Sequence, residues 1–292
     1  MLCQPSKGEK IMNVHNNAEW ALNLCDILGR GKNDVNAWVE KIFSKIPAHK
    51  YTRLYVGSYY CDHYYLNLPI SSYINVIDYA RKNKLKVTVV IPQLFEKSLH
   101  EGLERTNKLL AIGNDVVDEV TINDWGMSLY YPKEHGVKVN MGRVLQKDNR
   151  DPRYKDFFEK EHIHRCFSKD YIEWLVEERI SGIELDCTNK EITIPDIENS
   201  DIQIAVHTPW TYLSMGSICV YASSTKPDNK KFRFADKCNC ECNLGIIKMN
   251  CPSDIVLYRY GRSIQFLNEN CNVKSNKIIR FIYSPFYELQ EN

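Results

Sequence analysis

Short apolar segments alternate with amphipathic segments along most of this chain, and this alternation limits the folds open to it. Strands joined by helices form parallel βαβ units, and this many units predict a closed TIM-like (β/α) barrel, regular or distorted. The predicted strands are Lys10 to Val14, Arg53 to Ser58, Lys86 to Pro92, Glu119 to Asp124, Lys138 to Gly142, Gly182 to Asp186 and Asp201 to His207. The predicted helices are Ala18 to Leu28, Asp34 to Ile46, Ile74 to Lys82, Leu94 to Leu110 and Lys169 to Glu178. Asp34 is the predicted cap of the second helix, whose apolar face comprises Val35, Val39, Ile42 and Phe43.

The character of the sequence changes near residue 254. Ile255 to Asn268 and Lys277 to Phe286 are rich in β-branched and aromatic residues, which is typical of strands. We therefore predict that residues 254–292 form strands, with a hairpin among them, that extend or close the barrel. The 292 residues, 43% of them hydrophobic, suffice for one large core, so residues 1–292 are predicted to form a single domain with a loose tail at residues 1–9.

Charge and hydropathy narrow the classes of partner. The formal net charge is +1, so no overall field attracts nucleic acid or an anionic membrane, and nucleic acid is not an expected partner. The N-terminal MLCQPSKGEK lacks the apolar region of a signal peptide, and the apolar runs are too short to span a bilayer. These features predict a cytoplasmic protein, and the 11 cysteines are then expected to be reduced thiols, some of them metal ligands.

The densest group of thiols lies between Cys219 and Cys242. A polar loop follows Cys219, and Cys238, Cys240 and Cys242 then occupy alternate positions. Thiolates this close together repel one another unless a soft metal centre binds them. An iron–sulfur cluster, a zinc site, a disulfide and incidental thiols all fit this pattern. Cys61, just after the predicted strand Arg53 to Ser58, is the additional thiol that favours a metal centre.

Several motifs, taken in order, resemble those of one protein family. They are VGSYYC (Val56 to Cys61), TINDWG (Thr121 to Gly126), NMGRVL (Asn140 to Leu145), GIELD (Gly182 to Asp186), VHTPWTYLSMGSIC (Val206 to Cys219) and CNCEC (Cys238 to Cys242). Together they span most of the chain after residue 50. The chain resembles the UbiV-like branch of the collagenase-like peptidase family, whose UbiU/UbiV-type members are iron–sulfur proteins.

The resemblance implies a 4Fe–4S cluster bound by Cys61, Cys219, Cys238 and Cys242, with zinc on the same all-sulfur ligand set as the alternative. The sequence departs from the family at two positions. Relatives carry an arginine directly before the loop cysteine, where this chain has Ile218, and Cys240 is an extra thiol. If residues 238–242 are extended, Cys240 points away from its neighbours, and we predict that it is not a ligand.

Polar residues at the ends of predicted barrel strands are candidates for substrate binding and catalysis, because barrel sites lie at the carboxyl face. Each also has a structural interpretation: helix capping, ion pairing inside the barrel or at the surface, or a satisfied buried histidine. Glu184 and Asp186 share one face of their strand and would form a buried acidic pair with shifted pKa values if they face inward. The candidates are Asn123, Asp124, Arg143, Glu184, Asp186 and His207.

The resemblance further implies oxygen-independent hydroxylation, or a related modification, of a small-molecule substrate. It also implies that the chain is either an enzyme or one subunit of a heteromer with a related UbiU-like barrel protein. Proteolysis, the activity after which the family is named, RNA modification and a zinc-stabilised binding protein remain alternatives. The chain contains none of the motifs G-x-G-x-x-G, G-x-S-x-G and H-E-x-x-H, so nucleotide binding, serine hydrolysis and zinc proteolysis of the familiar kinds lack sequence support.

Overall fold

The computed structural model describes most of the chain between residues 18 and 286. The described residues are 18–31, 34–134, 136–146, 150–154, 167–188, 192–193, 201–233, 238–252, 255–268, 273–274 and 278–286. The predicted tail at residues 1–9 and the predicted strand Lys10 to Val14 lie outside them. His162, His164 and Cys166, three alternate residues of a type that can chelate a metal, lie outside them as well.

Eight parallel strands close into a barrel, which confirms the predicted TIM-like fold. Around the barrel the order is β1, β2, β3, β4, β5, β6, β8 and β14. The strands are β1 (Glu19–Asn23), β2 (Tyr51–Gly57), β3 (Lys86–Ile91), β4 (Val117–Ile122), β5 (Lys138–Met141), β6 (Gly182–Asp186), β8 (Gln203–Thr208) and β14 (Ile278–Tyr283). A short pair formed by β7 (Ile192–Thr193) and β13 (Val273–Lys274) lies outside this barrel sheet.

Helices connect successive barrel strands, as the alternation of segments predicts. They are α1 (Val35–Phe43), α2 (Asp62–Asn67), α3 (Ile70–Lys82), α4 (Glu96–Ile112), α5 (Trp125–Glu134), α6 (Lys169–Glu177) and, later in the chain, α7 (Val220–Ser224). At the start of α1, Asp34 accepts a hydrogen bond of 2.9 Å from the amide of Ala37, as its predicted capping role requires. None of the helices in the described part of the chain combines the length and the apolar character needed to cross a membrane.

The predicted helix Ala18 to Leu28 is wrong. Its first part is the strand β1, and a turn and a short 3-10 helix (Leu28–Gly31) follow. Ala21 and Leu22 are both fully buried, although they point to opposite faces of the strand. A parallel strand covered on both faces lacks the alternation that marks a half-exposed strand, and so its apolar residues resemble those of a buried helix.

The C-terminal strands extend the barrel and also close it. The predicted hairpin is present as β11 (Val256–Tyr260) and β12 (Ser263–Leu267), which join β9 (Trp210–Met215) and β10 (Ile247–Asn250) in an antiparallel sheet. The later strand β14 inserts between β1 and β8 and completes the barrel.

The amino-terminal end of the barrel interior is filled by an ion-pair network instead of an apolar core. Arg280 donates to both carboxylate oxygens of Glu119, at 2.7 and 3.1 Å, and its Nε lies 2.6 Å from an oxygen of Glu19. Arg53 lies 3.2 Å from the other oxygen of Glu19 and 2.6 Å from Asp118. Arg53, Glu119 and Arg280 are buried, so each of these charges depends on its partners for stabilisation.

Candidate functional site

Two groups of functional side chains lie at the carboxyl ends of the barrel strands. We call the first the cysteine group and the second the polar cluster. The cysteine group comprises Cys61, Cys219, Cys238, Cys240 and Cys242, and the polar cluster comprises Tyr59, Thr121, Arg143, Glu184, Asp186 and His207.

Cys61 is held in place by the loop that follows β2. Its amide donates to the hydroxyl of Ser58 at 2.9 Å, and that hydroxyl in turn donates to the buried carboxylate of Asp26. The Cys61 sulfur caps α2, because it accepts a hydrogen bond of 3.4 Å from the amide of Tyr64. The first predicted ligand is therefore fixed at the carboxyl end of a barrel strand, as the sequence predicts.

Helix α2 also binds the late cysteine segment. Asn67 donates to the backbone oxygen of Cys238 at 2.6 Å. The hydroxyl of Tyr64 donates to the side-chain oxygen of Asn243 at 3.1 Å and accepts a bond of 2.9 Å from the amide of Gly29. These contacts, each between residues far apart in sequence, place residues 238–243 beside Cys61.

The thiols of the cysteine group lie close enough to influence one another electrostatically. Burial raises the pKa of Cys242, and the charges of Cys61, Cys219 and Cys238 raise it further. The pKa of Cys240 is also raised, mainly by its hydrogen bond with Cys238 and next by burial. The fold thus gathers all four predicted ligands, although no three of the described His, Cys, Asp and Glu side chains are arranged as metal ligands.

The geometric argument for excluding Cys240 as a ligand is wrong. Residues 238–242 are not extended, because Cys240 adopts a left-handed backbone conformation (φ 58°) and a 3-10 helix begins at Glu241. The amide of Cys240 donates to the sulfur of Cys238 at 3.3 Å. The assignment of Cys238 over Cys240 as a ligand therefore stays a prediction that rests on the resemblance.

A buried arginine that the sequence did not reveal lies beside the cysteine group. Arg262, in the turn between β11 and β12, is 2.9 Å from Asp62, the residue after Cys61. Burial raises the pKa of Cys61 to about 12, and the charge of Arg262 opposes this shift. Ile218, directly before Cys219, is partly exposed and carries no charge, whereas Arg262 supplies a buried cation near Cys61 from another part of the chain.

Three further cysteines lie in the described part of the chain and outside the cysteine group. Cys25 and Cys251 are free thiols, and Cys25 is fully buried after β1. Cys187 is disulfide-bonded, which departs from the prediction that the thiols are reduced.

Glu184 lies at the centre of the polar cluster. Its carboxyl group contacts the hydroxyls of Thr121 at 2.6 Å and Tyr59 at 2.8 Å, and Nε2 of His207 at 3.0 Å. Burial raises the pKa of Glu184 to about 7, and burial lowers the pKa of His207 well below its ordinary value. A carboxyl group with these properties can exchange a proton near neutral pH.

Asp186 has the opposite electrostatic environment, although it shares a strand face with Glu184. Burial alone would raise its pKa, but the charges of Arg143 and Arg150 outweigh burial and lower it. Asp186 accepts hydrogen bonds from both guanidinium groups and, at 2.9 Å, from the amide of Tyr212. The predicted buried acidic pair is therefore present, and its two pKa values are shifted in opposite directions.

The side chains of Asn123 and Asp124 form hydrogen bonds with backbone groups and are not part of the polar cluster. Asn123 donates to the carbonyl oxygen of Ile91 at 3.1 Å. Asp124 accepts from the amide of Gly126 at 2.8 Å and from that of Met127 at 3.3 Å at the start of α5. These contacts correspond to the capping interpretation of this motif.

Some residues around the polar cluster were missed by sequence reasoning. Asp26, whose pKa is raised to about 6 by burial, follows the strand that was predicted as a helix, and so its position at a strand end went unrecognised. Arg150 follows a segment with no recognisable strand end. The missed residues are Asp26, Ser58, Tyr59, Tyr60, Arg150 and Tyr212.

The raised pKa of Glu184 predicts a pH-dependent difference in stability. Folded Glu184 keeps its proton up to about pH 7, whereas the unfolded carboxyl loses it near its ordinary value of 4.5. Between these values the folded state binds more protons, so the free energy of unfolding should fall as pH rises, by up to roughly 3 kcal/mol. A Glu184→Gln variant lacks this contribution.

Urea unfolding of the wild type and the Glu184→Gln variant at several pH values measures the effect. His207 contributes a slope of opposite sign, because its lowered pKa means that acid favours the unfolded state, and Asp26 adds a slope of the same sign as Glu184. Asp26 is present in both proteins and cancels in the comparison, so the difference between the two curves reports on Glu184 together with its contact to His207. Parallel curves would contradict the prediction.

Comparison with known proteins adds no further assignment. No protein-family model matches the chain, and a search of curated proteins finds no match either. The function must therefore be argued from the residues and geometry described above.

Proposed function

We propose that this chain is an iron–sulfur barrel protein of the UbiU/UbiV type and takes part in oxygen-independent hydroxylation or a related modification. The observation that carries the proposal is the attachment of the late cysteine segment to α2, beside Cys61. Asn67 and Tyr64, in the helix that follows Cys61, bind Cys238 and Asn243, so two segments that each carry predicted ligands lie against each other. A shared metal centre gives a physical reason for that convergence.

The donor set fits such a centre. Cys61, Cys219, Cys238 and Cys242 would hold a 4Fe–4S cluster, which supplies one-electron redox chemistry when it is bound. Arg262 would offset part of the negative charge of a cluster with four thiolates, and Asn67 and Tyr64 would hold the loop that carries two of the ligands.

The polar cluster is the proposed site for a small-molecule substrate. Arg143 is fully buried, its Nη2 donates to the backbone oxygen of Trp210 at 2.7 Å, and its Nη1 has no hydrogen-bond partner among the described residues. His207 Nδ1 and the hydroxyl of Tyr60 are likewise buried without a described partner. Buried polar atoms of this kind are satisfied by water or by a ligand.

A zinc-stabilised binding protein is the second candidate, because four thiolates can also form a structural zinc site. Assembly with a related UbiU-like barrel protein is part of the first proposal, and it would make this chain one subunit of the enzyme. Peptidase and RNA-modifying activities have less support, since the sequence contains no recognisable nucleophile–base motif and the net charge is +1.

Single cysteine-to-serine variants test the proposal. After anaerobic purification, replacing Cys61, Cys219, Cys238 or Cys242 should remove most of the iron and the visible absorption of the wild type. The matched controls are Cys251→Ser, a half-buried free thiol away from α2, and Cys240→Ser. Both should keep the wild-type iron content.

Three outcomes would change the assignment. Full iron content in the Cys61→Ser variant would exclude a centre shared between the two segments. Iron lost with Cys240→Ser but kept with Cys238→Ser would exchange the roles of these two residues. Zinc in place of iron in the anaerobically purified wild type would favour the structural zinc site.

A further inference from the structure

His207 uses only one of its two ring nitrogens in the described structure. Nε2 lies 3.0 Å from an oxygen of Glu184, whereas Nδ1 is buried and has no hydrogen-bond partner among the described residues. The imidazole is fully buried, and its ring packs edge-on against Tyr59 at 5.1 Å between centroids. The ring is thus held in one orientation with one nitrogen unused.

The other contacts of Glu184 favour exchange of a proton with His207. The hydroxyl of Thr121 lies 2.6 Å from one carboxyl oxygen, and the hydroxyl of Tyr59 lies 2.8 Å from the oxygen that also faces His207. Both hydroxyls can donate to the carboxyl group. The imidazole differs from the hydroxyls because it has two ring nitrogens, so it can lose a proton at Nε2 to Glu184 while it gains one at Nδ1 and stays neutral.

We propose that His207 and Glu184 form a proton-transfer dyad, in which Nδ1 of His207 takes a proton from an O–H group of a ligand at the barrel mouth. This inference rests on the proposed function in one respect, namely that a ligand binds at the barrel mouth. In the step, the ligand O–H bond breaks and an Nδ1–H bond forms. The Nε2–H bond breaks at the same time, and its proton binds Glu184. His207 remains neutral with its tautomer exchanged, and the negative charge passes from Glu184 to the ligand oxygen.

The surrounding charges suit this step. Arg143, Arg150 and Asp186 are the charged groups that act on His207 besides Glu184, and Arg143 and Arg150 both pair with Asp186. The free Nη1 of Arg143 is a buried donor that can stabilise an oxyanion. Burial raises the pKa of Glu184 to about 7 and lowers that of His207, so the carboxyl group is the favoured resting place for the proton.

Nitrogen NMR of the full-length, anaerobically isolated protein with labelled histidine tests the dyad. Between about pH 5 and pH 9, His207 should change from the Nδ1–H tautomer at low pH to the Nε2–H tautomer at high pH, and both forms are neutral. A His207→Gln variant assigns the signal. The Glu184→Gln variant should lose the exchange, because an amide cannot take up the proton.

Tyr59→Phe is the matched control. It removes one hydroxyl from Glu184 but leaves His207 in place, so the exchange should persist with its midpoint moved to higher pH. A single tautomer in the wild type throughout this pH range would overturn the proposal and leave a static hydrogen bond. An imidazolium form that appears equally in the wild type and the Glu184→Gln variant would overturn it too. Iron content, measured on the same samples, reports on the proposed function independently.

Discussion

Replacing Arg280 with alanine should lower the free energy of unfolding by about 3–5 kcal/mol. Arg280 lies inside the barrel, and its guanidinium group is the partner of Glu119 through two hydrogen bonds and of Glu19 through a third. Among the described residues, its removal leaves the buried carboxylate of Glu119 with Arg53, at 3.6 Å, as its remaining ion-pair partner. Since domains are stable by only about 5–15 kcal/mol, this loss is a large fraction of the total.

Urea unfolding of the wild type and variant measures this effect. The matched control is Arg81→Ala, which removes an arginine that pairs with Asp115 at 2.6 Å on the protein surface, where both side chains are substantially exposed. The control should change the unfolding midpoint much less, because water screens exposed ion pairs. Equal unfolding midpoints for the two variants would contradict the prediction, because they would show that the buried network stabilises the protein no more than the exposed ion pair does.

If the proposed metal centre is present, its removal should loosen both cysteine segments and leave the barrel folded. In hydrogen exchange, protein stripped of metal should lose protection at Tyr59 to Tyr64, at Ser217 to Arg233 and at Cys238 to Cys242. A centre bound by Cys61 and by the late thiols would close a very long loop, so its binding energy would stabilise these segments. Strand β3, which lies between β2 and β4 in the barrel, is the internal control and should stay protected.

The outcome is informative in either direction. Identical exchange of the metal-free and metal-loaded proteins in both cysteine segments would mean that no centre ties them together. Loss of protection in β3 as well would mean that the metal supports the whole barrel, although the barrel has an extensive apolar core of its own.

The elements of the fold that have a clear local sequence pattern could be predicted from the sequence. Helix α1 has the expected capping residue, and its buried residues Val35, Val39 and Ile42 fall on the expected face. The β11–β12 hairpin was identified from its β-branched and aromatic residues. Strand β1 was mistaken for a helix, because burial on both faces removes the alternation of a strand and leaves only an apolar run.

The candidate site was predictable where residues follow recognisable strands. Cys61, Glu184, Asp186 and His207 all lie at the carboxyl end of the barrel, as their positions in sequence indicated. Arg262 could not be found in this way, because it approaches Asp62 across 200 positions of sequence. Asp124 was predicted as a site residue but caps a helix, because the sequence alone does not distinguish these two roles for a polar residue at a strand end.

We propose that thiols from two distant segments of this chain hold one iron–sulfur centre. X-ray absorption at the iron and zinc edges of the anaerobically purified wild-type chain tests it most directly. We expect about four irons per chain, a sulfur-only first coordination sphere and scattering between iron atoms, as a 4Fe–4S cluster requires. A chain that contains one zinc ion per molecule, or iron without any iron–iron scattering, would contradict the claim.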